Sequence, residues 1–232
     1  MTERTSARAT ADREPATVDV SVPAALKSGN LHVASRQRAV AKILKAAEVV
    51  FGRRGFDGAT TAEIAKEAGV AKATLHYYFK TKEELYTGVL DRILAIWLEA
   101  LTEIDADMEP AESFRRYIAR KMRYSRDVPE LTRLWAMEVL SGAKRIKGFL
   151  SDRSRQIIEE KSAVVHQWID AGKMDPIDPP HLFFMIWATT QTYAESEAQI
   201  SMILGKDGLS DEVIERATEN ISQILLKGLG LR

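Results

Sequence analysis

The sequence predicts an all-α protein. Over long stretches apolar residues recur every three or four positions, which is the spacing of one helix face, and the alternation of apolar and polar residues that is typical of a half-buried strand is confined to short runs. Prolines and glycines fall at the ends of these stretches, where they start or stop helices. A chain of 232 residues can form a small helical domain and a larger one, each with its own core.

The first segment, residues 1 to 35, is rich in Ala, Thr, Ser and Arg and shows no sustained period. This composition predicts a disordered arm. Arg4, Arg8 or Arg13 could reach a DNA minor groove, but four basic residues are balanced by four acidic ones, so we favour an inert tail. The first 15 residues lack the apolar core of a signal peptide, and no apolar run is long enough to span a membrane, so we expect a cytoplasmic protein.

The next segment, RQRAVAKILKAAEVVFGRRGF, predicts a helix with a single buried face. Its apolar positions follow the three-and-four spacing of such a face. They are Val40, Ile43, Leu44, Ala47, Val50 and Phe51.

Two short helices joined by a glycine turn follow, in TAEIAKEAGVAKATLHYYFK from Thr61 to Lys80. Gly69 can supply the positive φ that the turn needs, and Ile64, Ala68 and Leu75 then face a common small core. This arrangement is a helix-turn-helix, which points to DNA binding.

Capping residues indicate where the helices of this unit begin. Thr60 with Glu63, and Thr81 with Glu84, have the spacing of capping boxes. Ala71, which precedes the second short helix, offers no capping side chain, and a missing N-cap costs a helix about 1 kcal/mol.

The second short helix carries the side chains that we expect to meet DNA. They are donors and aromatic rings able to reach phosphates or base edges in a major groove. Lys72, Thr74, His76 and Tyr77 lie on its outer face, with Tyr78 and Lys82 close behind. The alternative is that the aromatic residues are the hydrophobic seam to the next helix, and for Phe79 we favour that alternative.

Charge is distributed unevenly along a chain whose formal net charge is zero. Residues 36 to 90 contain ten Lys or Arg and six Asp or Glu, a net charge of +4, whereas residues 91 to 232 contain 19 and 23, a net charge of −4. The positive part coincides with the helix-turn-helix, as expected of a protein that contacts phosphates over a limited footprint.

Several of these motifs occur together in one order: T-TxxEIA, AGV and L-YYFKTKEELY. In this respect residues 36 to about 85 resemble the amino-terminal DNA-binding domain of the TetR family of transcriptional regulators. The resemblance implies a helix-turn-helix domain over residues 36 to 82, and a Lys82 ammonium on a phosphate at a helix start. The positions that usually touch DNA in this family are Thr60, Lys72, Thr74, His76, Tyr78 and Lys82 here. Ala71 departs from the family, which commonly carries a hydroxyl residue there.

Residues 83 to 232 predict a larger helical domain. Prolines at the starts of helices and glycines beyond their ends divide this part of the chain. We predict helices from Glu83 to Ile104, from Pro110, from Pro129 to Gly142, from Arg145 to Ala171, from His181 to Leu204 and from Asp211 to Lys227.

The segment from Leu182 to Tyr193 is apolar on nearly every face, so we expect it to contact both a partner and an internal cavity. Phe184, Trp187 and Gln191 lie three and four residues apart on one stripe. An amide beside an indole can pair with a flat ligand that carries complementary groups. The alternative is that Gln191 bonds a backbone carbonyl or faces solvent.

The stretches RDVPELTRLWAMEVLSGA and EEKSAVVHQWIDAGKMDPIDPPHLFFMIWATTQTYA resemble the pyrimidine-responsive regulators within the TetR family. The resemblance implies that Trp187 stacks on, and Gln191 pairs with, a uracil-like ring. Trp97, Trp135, Met137 and Phe184 are the further candidate wall residues, and ordinary core positions are their alternative. Trp135 is larger than the residue usual there, and His76 replaces an apolar side chain.

The resemblance implies a homodimeric repressor on a palindromic double-stranded operator, with uracil or thymine as effector and the last two helices forming the dimer's four-helix bundle. Zero cysteines and four scattered histidines predict neither a metal site nor a cofactor. One rival is a ligand-free architectural or cell-cycle protein of the same fold, and another is a broad hydrophobic sensor linked to efflux. An enzyme is suggested only by the S-x-x-K spacing of Ser141 and Lys144, without its companion motifs.

Overall fold

The computed structural model describes residues 31–145 and 147–231, with side chains from residue 35 onward except those of 147–153. The described residues contain helices and no strand, which confirms the all-α prediction. The predicted arm lies mostly outside them, although α1 begins at Leu31, before the predicted limit of the arm. The helices are α1 (Leu31–Gly58), α2 (Thr61–Glu67), α3 (Lys72–Tyr78), α4 (Lys82–Ala100), α5 (Pro110–Asp127), α6 (Pro129–Leu140), α7 (Lys147–Asp170), α8 (Pro179–Glu195), α9 (Glu197–Leu204) and α10 (Asp211–Gly228), with a 3₁₀ turn (Leu101–Glu103) after α4.

The first three helices and the start of α4 enclose a small core. Ile43 and Phe51 of α1, Ile64 of α2, Leu75 of α3 and Leu85 of α4 have no exposed side-chain surface. The predicted stripe of α1 and the predicted common core of the two short helices are therefore confirmed.

Glycines shape both turns of this unit. Gly55 kinks the end of α1 with φ 66° and ψ −178°, a backbone conformation that is essentially restricted to glycine. Gly69 follows α2 with φ 57°, as predicted. The N–H of Val70 donates to the carbonyl of Ala65 and the N–H of Gly69 to that of Lys66, so the turn is a Schellman motif.

The predicted caps differ in detail. Thr60 and Glu63 form the full capping box at α2. At α4, Thr81 accepts a bond from the N–H of Glu84, but the Glu84 carboxylate accepts from Lys80 N–H at 2.7 Å rather than from Thr81. The second box is therefore wrong in its reciprocal half, because the carboxylate reaches one residue further back.

The larger part of the chain is organised around α5, which packs against α8, α10 and α6. Phe114 and Tyr117 of α5 and Phe183 of α8 are buried at its centre. α4 runs from the small core into this larger one, with Leu90 and Ile93 buried on the way. Within the described ranges, no helix combines the length and the apolar character needed to cross a bilayer.

α6 also packs against α1, and the two backbones approach closely at Gly52. A Cβ atom built on Gly52 would lie only 2.7 Å from Cβ of Glu130. Any side chain at this position would push the two helices apart, so the contact requires glycine.

A buried ion pair joins α1 to α4. The Nε of Arg92 lies 2.7 Å from Oε1 of Glu48, whose side chain is only 3% exposed. Lys45, which is largely exposed, also lies 3.4 Å from the same carboxylate.

The prediction of one helix from His181 to Leu204 is wrong, because the structure has a break at Ser196 between α8 and α9. The Nε of Arg133 donates to the carbonyl of Ala194 at 2.8 Å, and the same guanidinium pairs with Glu197. In a continuous helix that carbonyl would accept from the residue four positions later. A side chain from α6 therefore stabilises the end of α8.

Candidate functional sites

The outer face of α3 presents most of the residues predicted to meet DNA. Lys72 is exposed and the Tyr77 ring is 67% exposed, an unusual degree for an aromatic side chain. Thr74 and His76 are partly buried, and Nε2 of His76 lies 3.5 Å from Oγ1 of Thr61 in α2. This contact holds the imidazole against α2.

The aromatic residues at the end of α3 divide into two groups. Tyr78 and Phe79 pack against the core, as we favoured for Phe79. The Tyr77 ring stands edge-on to the Tyr78 ring at 5.1 Å, with the ammonium of Lys80 5.7 Å from its centre. Tyr77 is thus the aromatic ring of this group that is free of the core.

At the N-terminus of α3, Ala71 makes no side-chain capping bond, as the sequence predicts. The first N–H groups of a helix then lack the partner that a hydroxyl would supply. Thr60 is exposed at the start of α2.

Lys82 has contacts within the protein that the sequence did not indicate. Its ammonium donates to the carbonyls of Phe56 at 2.9 Å and Ala59 at 3.1 Å, and lies 4.3 Å from the centre of the Phe56 ring. An ammonium has three N–H donors, and these two bonds use two of them. Lys82 therefore fixes the end of α1 and the residues that connect it to α2 to the start of α4, whatever else it binds.

The Phe56 ring is in contact with a second cation from the larger domain. The guanidinium of Arg145 lies 3.8 Å from the ring centre, and its backbone N–H donates to the buried carboxylate of Glu138 at 2.9 Å. The Tyr86 hydroxyl donates to the same carboxylate at 3.2 Å, and burial raises the pKa of this phenol. The end of α6 is thereby linked to the C-terminal end of α1.

The larger domain contains a cavity of about 420 Å³ that is bounded by α4, α5, α6, α7 and α8 and by the 3₁₀ turn. Four predicted ligand residues, Trp97, Trp135, Trp187 and Gln191, line it together. The other lining residues are Leu94, Leu98, Leu101, Tyr117, Lys121, Ala136, Val139, Leu140, Ser154, Ile158 and Glu195.

Aromatic rings from three helices form the walls of this cavity. Trp97 of α4 and Trp135 of α6 are in edge contact, with ring centres 4.8 Å apart. Trp187 of α8 is fixed by a bond of 2.6 Å from its Nε1 to the Tyr117 hydroxyl. Such walls suit a flat ligand.

Two predicted wall residues lie elsewhere. The Phe184 side chain is 50% exposed and contacts Trp187 from outside the cavity, because it lies one helical turn beyond the end of the cavity. Met137 is 41% exposed, because two positions along a helix from Trp135 turn a side chain about 200° away. Neither side chain therefore lines this cavity.

Sequence reasoning missed the polar groups that α5 brings to the cavity. Tyr117 and Lys121 are buried and lie one turn apart. Burial lowers the pKa of the Lys121 ammonium to about 7, although the carboxylate of Glu195 favours the charged form. Burial also raises the pKa of Tyr117 and of Glu195. A lysine within the apolar stripe of α5 was the signal that could have revealed this edge.

The geometry of the described residues supports neither a nucleophilic role for Ser141 nor a metal site. The Ser141 hydroxyl donates to the carbonyl of Met137 at 2.7 Å, one turn earlier on the helix. Among the residues described, no group of three His, Asp or Glu side chains is arranged to hold a metal ion.

Comparison with known proteins agrees with this architecture. A family model described as bacterial regulatory proteins of the tetR family matches residues 43–89, and one described as the C-terminal region of YcdC-like proteins matches residues 90–232. The chain is 43% identical to the HTH-type transcriptional regulator RutR of Escherichia coli over 84% of this chain and 93% of that protein. It is 28% identical to the HTH-type transcriptional repressor NicS of Pseudomonas putida over 81% and 90% of the two chains.

Solved structures share the fold. A TetR-like transcriptional regulator from a Rhodococcus species aligns with a TM-score of 0.60 and 19% identity, over 82% of this chain and 94% of the other. A TetR family transcriptional regulator from Pseudomonas syringae aligns with a TM-score of 0.58 and 22% identity, over 81% and 94%. The relatives are transcriptional regulators and not enzymes. The chain itself therefore belongs to the TetR family of bacterial transcriptional regulators.

Proposed function

We propose that the protein is a homodimeric, cytoplasmic repressor that releases a palindromic operator when uracil, thymine or a related flat polar ring fills the cavity. The observation that carries this proposal is the cavity itself, in which three tryptophans surround a small set of polar groups. Its 420 Å³ fall within the range of about 300–1,000 Å³ that is usual for small-molecule sites.

The proposed DNA-reading part is the unit of residues 36 to 82, with residues 83 to 232 binding the ligand and the second subunit. The exposed Lys72 and Tyr77 on α3 and the positive charge of this part of the chain support it. Two copies of α3 would enter successive major grooves about 34 Å apart.

The proposed effector class follows from the cavity walls and from Gln191. A pyrimidine is flat, so it can lie against Trp97, Trp135 or Trp187, and its ring N–H and carbonyl groups suit an amide. No other described residue bonds the Gln191 amide, so it can pair with a ligand. Similarity to RutR supports the same class. A cavity of this volume argues against a ligand-free architectural protein, and its polar groups argue against a broad hydrophobic sensor.

We propose that ligand binding is coupled to DNA binding through α4 and α6, the two helices that contact both the cavity and the small domain. α4 contributes Trp97 to the cavity and continues from the DNA-reading unit, while α6 contributes Trp135 and packs against α1. A ligand that favours the form unable to bind DNA by about 1–3 kcal/mol would release it.

Replacing Trp187 or Gln191 with alanine should abolish micromolar binding of uracil and thymine, measured by isothermal titration calorimetry. Trp187→Ala removes the wall and Gln191→Ala removes the pairing amide. Phe184→Ala is the matched control, since it deletes an aromatic side chain of the same helix outside the cavity. An equal loss of affinity in all three variants, or no heat of binding when either base is added to the unmodified protein, would contradict the effector proposal.

Replacing Lys72 with alanine should weaken binding to all DNA duplexes alike, because an ammonium on a phosphate carries no sequence information. The slope of log K against log salt should fall by about 1 per subunit. Fluorescence anisotropy at several salt concentrations, on a duplex selected from a random pool, measures both effects. Lys173→Ala, on the surface of the larger domain, is the control. An unchanged slope in Lys72→Ala would remove Lys72 from the DNA interface.

A further inference from the structure

α5 contributes one polar edge of the cavity through Tyr117 and Lys121, which lie four residues apart and therefore on the same helix face. Both side chains are almost completely buried, with exposed fractions of 1% and 3%. Buried polar groups are costly unless they are paired, so their hydrogen-bonding needs indicate what the cavity holds.

The hydroxyl of Tyr117 can only donate to a ligand. A phenol has one O–H hydrogen, and the oxygen of Tyr117 already accepts the indole N–H of Trp187 at 2.6 Å. No described residue lies in position to accept the hydrogen of Tyr117. The bond to Trp187 thus orients a donor toward the cavity.

Lys121 is likewise a donor without a protein acceptor in the described part of the chain. Its ammonium lies 4.3 Å from the centre of the Trp97 ring, and no described carboxylate lies within ion-pair distance. Glu195 acts on it only through longer-range attraction. An ammonium has three N–H donors and no acceptor.

We propose that Tyr117 and Lys121 form a donor-only edge that selects effectors presenting ring carbonyl oxygens, and rejects rings that carry an amino group there. This inference rests on the proposed function of the cavity as a pyrimidine site. The selected class is the cyclic imides and ureides, which include uracil and thymine. Cytosine is rejected, because its amino group would place donor against donor.

Gln191 cannot make this distinction by itself. An amide carries a donor and an acceptor of similar size, and rotation by half a turn exchanges them. Gln191 can therefore match either uracil or cytosine. Discrimination has to come from groups that present only donors to the ligand, which are the Tyr117 hydroxyl and the protonated form of Lys121.

The first test is calorimetric titration of the full-length protein with uracil and cytosine. The unmodified protein should bind uracil at least about 100-fold more tightly than cytosine, since leaving buried polar groups unpaired is strongly selective. Tyr117→Phe and Lys121→Met should each reduce uracil affinity about 10-fold or more and narrow that ratio. The control is Tyr124→Phe, on the same helix with its hydroxyl bonded to Arg120, which should leave the ratio of uracil to cytosine affinity unchanged.

The second test measures the uptake of protons when uracil binds. This uptake would be absent if Lys121 served only to support the structure. Because burial lowers the pKa of Lys121 to about 7, a large fraction of the molecules carries Lys121 as a neutral amine at about pH 7.5. Carbonyl oxygens favour the charged form, so uracil binding should raise this pKa and take up protons. Titrations in buffers of different ionisation enthalpy detect the uptake. The uptake should vanish in Lys121→Met and persist in Glu195→Gln, which removes the cavity carboxylate whose pKa burial raises.

Two outcomes would overturn the inference in different ways. If the protein binds cytosine as tightly as uracil, or if Tyr117→Phe and Lys121→Met leave their ratio unchanged, the donor-only edge is refuted while the pyrimidine site stands. If neither base binds and neither releases DNA, the proposed function fails and the inference fails with it.

Discussion

Replacing Arg92 with methionine is expected to lower the free energy of unfolding by about 3 kcal/mol. The change leaves the Glu48 carboxylate, which is 3% exposed, without the guanidinium 2.7 Å away. Breaking a buried ion pair from one side costs about 3–5 kcal/mol, and Lys45 at 3.4 Å keeps the loss at the lower end. The total free energy of unfolding of a typical domain is about 5–15 kcal/mol. Urea denaturation followed by circular dichroism, at one protein concentration, measures the loss.

A double variant separates the unpaired charge from lost packing. Glu48→Met combined with Arg92→Met removes both charges and should recover most of the stability, because apolar side chains of similar size often replace a buried pair at little cost. Arg116→Met, which breaks an exposed pair with Glu112, should cost no more than about 0.5 kcal/mol. A double variant as unstable as Arg92→Met alone would show that the charge is not the cause.

Replacing Arg145 with methionine is expected to uncouple the cavity from DNA. The variant should still bind uracil and the operator, but uracil should change operator affinity by no more than about 2-fold, against about 5- to 150-fold for ordinary coupling. The reason is that Arg145 connects Glu138 of α6 to the Phe56 ring. Anisotropy titrations of DNA with and without uracil give the ratio.

The neighbouring residue supplies the control for this experiment. Lys144 is exposed and makes none of these contacts, so Lys144→Met should retain the full response. If Arg145→Met also responds fully, coupling does not pass through the contact of Arg145 with Phe56, and α4 or the packing of α6 against α1 has to carry it. The melting temperature of each variant distinguishes loss of coupling from loss of folding.

The structure of the DNA-reading part was largely predictable because the residues that determine it lie close to one another in the sequence. Gly69, the cap at Thr60 and the buried Leu75 all act within a few residues of their partners, so their spacing alone indicates the structure. The internal bonds of Lys82 were not predictable in this way, because they join residues 23 and 26 positions apart.

Of the residues that line the cavity, sequence analysis identified members on α4, α6 and α8 but none on α5. Trp187 and Gln191 stand out because an amide interrupts an apolar stripe, whereas Tyr117 and Lys121 belong to a helix about 70 positions earlier in the chain. The break after α8 has the same origin, since Arg133 acts on a carbonyl 61 residues away. Phe184 shows the opposite limit, because helical spacing gives the face of a residue but not where along the helix a cavity ends.

The contact between Gly52 and Glu130 bears on how mechanically stiff the link between the two domains is. Where side chains fill an interface, a small displacement can be absorbed by changes of rotamer. At Gly52 the backbone of α1 lies directly against α6, with no side chain of its own to yield. A shift of α6 toward α1 by a few tenths of an ångström therefore cannot be absorbed by a side chain at position 52 and has to be met by the backbone of α1. A bulkier residue at position 52 would hold the joint in one displaced position, as a fixed wedge does, whether or not a ligand is bound.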